Sequence, residues 1–147
     1  MKQIIYPRSP REVMAGWVYL PRFVDKIRLH LAGELAPDYQ ENFTNGFDGA
    51  WLKAAGITAQ DFIAVVKATI TDGEVCDWVS KNVKKTEAEK TAFRDFILNR
   101  GREGEEMKAR LEQRKAQAGL THRADIQTFV DFIDADEKRD CASRGVR

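Results

Sequence analysis

Several things are scarce in this chain of 147 residues, and each scarcity narrows its chemistry. There are two cysteines and two histidines. Cys76 and Cys141 are too few for a disulfide framework. Cys76 falls in an amphipathic pattern with Val75 and Val79 and reads as a small core hydrophobe, while Cys141 lies in a polar tail. Neither has a local base to lower its pKa. No H-E-x-x-H or C-x-x-C spacing occurs, so neither a metal nor another cofactor is expected. The glycines form no G-x-G-x-x-G or G-x-x-x-x-G-K-[ST] loop, and G-x-S-x-G is missing too.

Long apolar runs are also absent. No stretch nears the ~18 residues of a membrane span, and the N-terminal MKQIIYPRSPR lacks the apolar core of a signal peptide. A cytoplasmic protein that does not enter membranes is the expectation. Strand signals are weak, with no alternating run bounded by a hairpin turn. An excess of one charge is missing as well: 24 Lys+Arg face 23 Asp+Glu, a formal net charge of +1. That balance argues against a generic nucleic-acid binder.

What is present is helix. Hydrophobic residues make up 43% of the chain and charged residues 32%, the balance of a soluble globular protein. The length suits one compact all-α domain over residues 1–147, with 1–8 as an N-terminal extension and 140–147 as a flexible tail. Start signals recur. Ser9-Pro10-Arg11-Glu12 offers an N-cap, a first-turn proline and a capping glutamate, and Thr58…Asp61, Thr71…Glu74 and Thr86…Glu89 share the spacing. Thr69…Asp72 also fits, which blurs the boundary near 70. Thr128…Asp131 matches inside an apolar run and is discounted. Gly33, Gly56, Gly101 and Gly119 serve as stops. The signals predict about seven to eight short helices, near 10–15, 21–32, 48–55, 59–69, 72–82, 87–100, 103–118 and 125–134. Residues 34–46 form the longest loop.

Periodicity predicts which faces are buried. Leu20, Val24, Ile27 and Leu31 share a face with Phe23 beside them; Phe93, Phe96, Ile97 and Arg100 make another; Ile126, Phe129, Val130 and Ile133 make a third. Residues 102–118 read as a solvated helix with Met107 and Leu111 as its apolar positions and Glu106–Arg110 as an i, i+4 pair.

The block from Pro7 to Leu35, PRSPREVMAGWVYLPRFVDKIRLHLAGEL, resembles the opening of a family of small bacterial proteins catalogued only as a domain of unknown function, number five-zero-six-nine. The resemblance continues through Gly46-Phe47-Asp48-Gly49, through Thr71-Asp72-Gly73-Glu74 with Trp78, and into Phe132–Arg139. It covers nearly the whole chain. The resembled pattern has glycine where this chain has Lys138, which bears on the local turn. The resemblance implies a small, mainly helical domain and no particular activity.

Charge is unevenly spread. Residues 1–30 hold six Lys or Arg against two Asp or Glu, a formal +4, and the remaining 117 residues sum to −3. On a helical wheel of the second helix, Arg28 and His30 flank the apolar face, and Arg22, Asp25, Lys26 and Leu29 lie on the far side. Arg11, Arg22, Lys26 and Arg28, with His30 as an acid or base, are the candidate residues for an anionic ligand. The plainer reading is internal ion pairing, with aliphatic stems packed on the core. The acidic residues Asp131, Asp134, Asp136, Glu137 and Asp140 lack the glycine and late glutamate of a calcium loop. They read as solvated carboxylates, or as partners of the basic segment.

Two functional readings stand. The first is a helical binding or interaction module without catalysis, because no nucleophile–base or metal set is present. The second is an enzyme or sensor for an anionic small metabolite held by the N-terminal Arg and Lys residues. The expected partner is that anionic molecule or another protein, a homodimer included. Nucleic acid is disfavoured by the acidic remainder.

Overall fold

A computed structural model describes residues 4–139. The chain is all-α. Its elements are β1 (Val13–Met14), β2 (Trp17–Val18), α1 (Leu20–Leu31), α2 (Pro37–Gln40), α3 (Gly46–Ala55), α4 (Ala59–Lys67), α5 (Asp72–Asn82), α6 (Glu87–Asn99), α7 (Gly104–Gln117) and α8 (Phe129–Asp136). Two compact units divide between Arg94 and Asp95, inside α6.

The helix starts follow the threonines. Thr58 accepts from the Asp61 amide, and Thr71 and Glu74 form a reciprocal capping box. Thr86 accepts from the Glu89 amide at 3.1 Å. Thr128 is also a true N-cap, accepting from Asp131, so the last helix begins at Phe129 and not near 125. Apolar periodicity ran through the cap and disguised it.

The expected helix over 10–15 does not form. The Ser9 carbonyl takes the Glu12 amide in a tight turn, and a two-residue hairpin follows. Its turn residues, Ala15 at φ 53° and Gly16 at φ 81°, both lie in the left-handed region. That is the backbone twist a two-residue hairpin requires. Each strand is too short for alternation to show in sequence. The long loop is also interrupted, by α2.

In unit 1, residues 4–94 of the described chain, α1 packs on α4 and α4 on α5. The core is aromatic: Trp17, Phe23, Trp51 and Phe62 are fully buried. Trp17 meets Trp51 edge to face at 6.0 Å and Phe93 at 5.6 Å, and Trp51 lies 4.7 Å from Phe62. Such edge contacts suit the ring quadrupole. The Nε1–H groups of Trp17 and Trp51 are buried with no acceptor among the described residues. Each costs about 1–3 kcal/mol, which the aromatic packing must outweigh. Cys76 is a half-buried free thiol next to the buried Val75; Cys141 lies outside the described residues. In unit 2, from residue 95, α7 packs on α8, and Leu111, Ile126 and Phe132 form the core.

Two predicted faces and the reading of the acidic cluster need correction. Leu31, the last residue of α1, is 44% exposed, so the apolar stripe is not buried to its end. Phe96 is 41% exposed; the Arg100 guanidinium lies over its ring at 5.2 Å, covering it with a cation in place of a core. Asp134 and Glu137 are buried and bind Arg139, so they are not the solvated carboxylates of the first reading. Asp140 lies outside the described residues.

Lys138 has φ 65°. It follows the end of α8, where a left-handed residue normally closes the helix and glycine does so without Cβ strain. This is the position at which the resembled pattern carries glycine. Lys138→Gly is therefore expected to raise unfolding stability by about 0.5–1 kcal/mol, read by urea denaturation. A loss of stability would show that the Lys138 side chain outweighs its backbone strain.

Candidate functional site

The basic segment folds around three carboxylates of unit 1. The innermost is Asp48, in the first turn of α3 and fully buried. Its Oδ1 accepts the Tyr19 hydroxyl at 2.5 Å. Its Oδ2 accepts the Thr44 amide at 3.0 Å and lies 2.8 Å from Lys26 Nζ. Burying a carboxylate is costly unless it is paired and hydrogen-bonded. All three donors meet that need, and the N-terminus of α3 adds favourable dipole.

Tyr19 and Thr44 reach Asp48 from strained backbone, at φ 77° and 67°. Gly49 permits the approach of the Thr44 segment: a Cβ at Gly49 would stand 3.2 Å from the Thr44 carbonyl oxygen. Burial, and then the nearby Asp48 charge, push the Tyr19 phenol well above its ordinary pKa, with Arg22 acting in the opposite direction.

Arg22 belongs to the same centre. It is 3% exposed, donates to the Arg8 carbonyl at 3.1 Å and lies over the Tyr39 ring at 5.7 Å. The wheel placed Arg22 and Lys26 on the far side of α1, away from the core. Residues 39–48 cover that side: Phe43 meets Phe23 and His30, and Phe47 meets Tyr19. The far side of α1 is thus a second, polar, buried face.

The outer two carboxylates are Asp25 and Asp72. Arg8 forks onto Asp25 through Nε and Nη2, both at 2.9 Å, and reaches Asp72 through Nη1 at 2.9 Å. Arg28 Nη1 binds Asp72 at 2.7 Å. These arginines depress the Asp72 pKa, the Arg8 hydrogen bond most, against a smaller opposing effect of burial. Arg28 Nη2 is buried with no acceptor among the described residues.

The five predicted residues therefore separate. Arg22 and Lys26 share the Asp48 centre. Arg28 joins Arg8 on Asp72. His30 is exposed and stacks on Phe43 at 4.5 Å. Arg11 is half-buried in the turn before β1, its amide donating to Ser9 Oγ. Sequence reasoning missed Tyr19, Asp48 and Asp72 as partners and left Arg8 out of the candidates. Arg8 was visible in the charge tally; the carboxylates lie in blocks too distant for spacing to couple them.

The family described as "Domain of unknown function (DUF5069)" matches residues 4–139. The chain belongs to this family. No curated protein matches it. Family membership thus covers every element described above and leaves the chemistry to be argued from the residues. Among the described residues, no three His, Cys, Asp or Glu side chains group as metal ligands would, and no helix is long and apolar enough to cross a membrane.

The raised Tyr19 pKa has a sign. A phenol whose folded pKa exceeds its unfolded value of about 10 contributes stability below that pH and loses it as pH rises toward the folded value. Spectrophotometric titration of the native chain should show one phenol that ionises only as the chain unfolds, and Tyr19→Phe should remove that step. Ionisation of all three tyrosines at ordinary pH would contradict the buried Tyr19–Asp48 bond.

Proposed function

We propose that this chain is a small helical binding module without catalysis of its own, and that the cations of residues 8–30 serve its fold. One observation carries the reading: Lys26 lies 2.8 Å from Asp48, and Arg8 and Arg28 both bind Asp72. Of the cations chosen as anion ligands, Lys26 and Arg28 are engaged by carboxylates of the same unit. A competing anion would have to displace an intramolecular carboxylate already at hydrogen-bond distance, and at Asp48 it would also have to enter a fully buried site.

A specific observation favours the second reading, an enzyme or sensor for an anionic metabolite. It is the acceptorless Nη2 of Arg28. A guanidinium can bind two carboxylates at once, so this donor could take an oxygen of a ligand while Nη1 keeps Asp72.

Thermal unfolding in sulfate, phosphate, pyrophosphate and citrate separates the readings. On the module reading, any rise in Tm is the same for the native chain and for Arg28→Gln, to within about 1 °C. A rise that is lost in Arg28→Gln would establish an anion site at Arg28 and overturn the reading.

A further inference from the structure

An open groove of about 750 Å³ lies within unit 2, between α7 and the segment that follows it. That volume is in the range of small-molecule sites, about 300–1,000 Å³. Its walls combine two kinds of surface. Leu111, Ala124 and Ile126 supply an apolar strip, and Arg102, Lys108 and Lys115 supply cations. The one acidic wall residue is Glu112, so the lining has three positive charges against one negative. The formal charge of residues 95–147 is eleven against eleven, so the groove concentrates positive charge that the unit as a whole does not have.

Lys115 is the informative residue. The sequence placed it on a solvated helix, yet it is 3% exposed. Its Nζ donates to the Ile126 carbonyl at 3.3 Å and to Glu112 Oε1 at 3.2 Å. An ammonium has three donors, and these two bonds leave one. Glu112 is itself 60% exposed, so its charge is partly screened by water while that of Lys115 is not. Among the described residues, the Arg102 side chain makes one long hydrogen bond, to Gln127 at 3.4 Å, which leaves most of its guanidinium donors for other acceptors. Lys108, Leu111, Glu112 and Lys115 follow one another at i, i+3, i+4 and i+7, which makes them a single stripe of α7 facing the groove. A buried cation beside an apolar strip, with two more cations at the rim, matches a molecule that carries a negative group on an apolar body.

We propose that this groove binds a small organic anion, its acidic group held by Lys115, Lys108 and Arg102 and its apolar portion laid on Leu111, Ala124 and Ile126. The proposal rests on the binding-module reading and supplies its ligand class. It lies in a different unit from Arg28, so the two can fail separately.

The test uses the full chain and two probes of matched shape. One is 1-anilinonaphthalene-8-sulfonate, an apolar anion; the other is N-phenyl-1-naphthylamine, its neutral counterpart. Titration calorimetry and probe fluorescence should show the anion binding at least about tenfold more tightly than the neutral compound, the loss expected when charge-assisted bonds are removed. Arg102→Gln/Lys108→Gln alters only exposed groups and should weaken the anion by about tenfold at unchanged Tm. Lys115→Met should weaken it further. Equal affinity for the two probes, equal affinity in native chain and double variant, or no anion binding at millimolar concentration would overturn the groove proposal. None of these results bears on the anion series read with Arg28→Gln, whose failure would overturn the module reading itself.

Discussion

The first unit depends on one buried carboxylate. Asp48 has no contact with water, so its charge must be balanced inside the protein. Lys26 supplies the opposite charge, and Tyr19 and the Thr44 amide supply hydrogen bonds. These three donors come from the middle of α1, the residue before α1 and the loop ahead of α3. One anion thus fastens the start of α1, residues 19–26, to residues 44–48, some twenty positions further along the chain. It also explains why two non-glycine residues tolerate left-handed backbone, since Tyr19 and Thr44 both end on Asp48. Strain of order 1–3 kcal/mol at each persists only where the surroundings over-determine it.

Around this centre lies a second, wetter layer. Arg8, Arg28, Asp25 and Asp72 form an alternating chain of charges. Arg8 and Asp72 side chains are 38% and 41% exposed, so each contact is individually weak. The forked geometry of Arg8 and the sharing of Asp72 make the set more than isolated surface pairs. The two layers differ in consequence. Losing an outer contact loosens the N-terminal segment, whereas losing an inner one strands a charge in the core.

How much of this was legible in the sequence can be argued residue by residue. Thr58, Thr71 and Thr86 announced their helices because an N-cap is a local interaction, complete within four residues. The same locality failed at Ser9, where a turn satisfied the same groups, and at Thr128, where apolar periodicity masked the cap. The aromatic faces were legible where one face alone is buried. On α1 two faces are buried, one apolar and one polar, and a wheel drawn from hydrophobicity finds only the first. Arg22 and Lys26 lie on the second of these faces, so the wheel gave no sign that they are buried. Asp48 and Asp72 carry no spacing signal toward residues 8–28, because the contact is made by tertiary folding. Yet they lie in the blocks that carry the family resemblance, alongside the segment they bind. Lys115 was hidden in the opposite way, as one more cation on a charged helix, and only the covering segment around Ile126 sets it apart.

The claim that the Lys26–Asp48 pair organises unit 1 is tested most directly by a double-mutant cycle on unfolding free energy, with Lys26→Met, Asp48→Leu and the pair combined. Each single change should cost about 3–5 kcal/mol, because the charge left behind stays buried. The double change should cost less than the sum by about 2 kcal/mol or more, a coupling expected only of residues in direct contact. Additivity to within about 0.5 kcal/mol would contradict the account, showing that the two charges reach water and that something else holds residues 39–48 against α1.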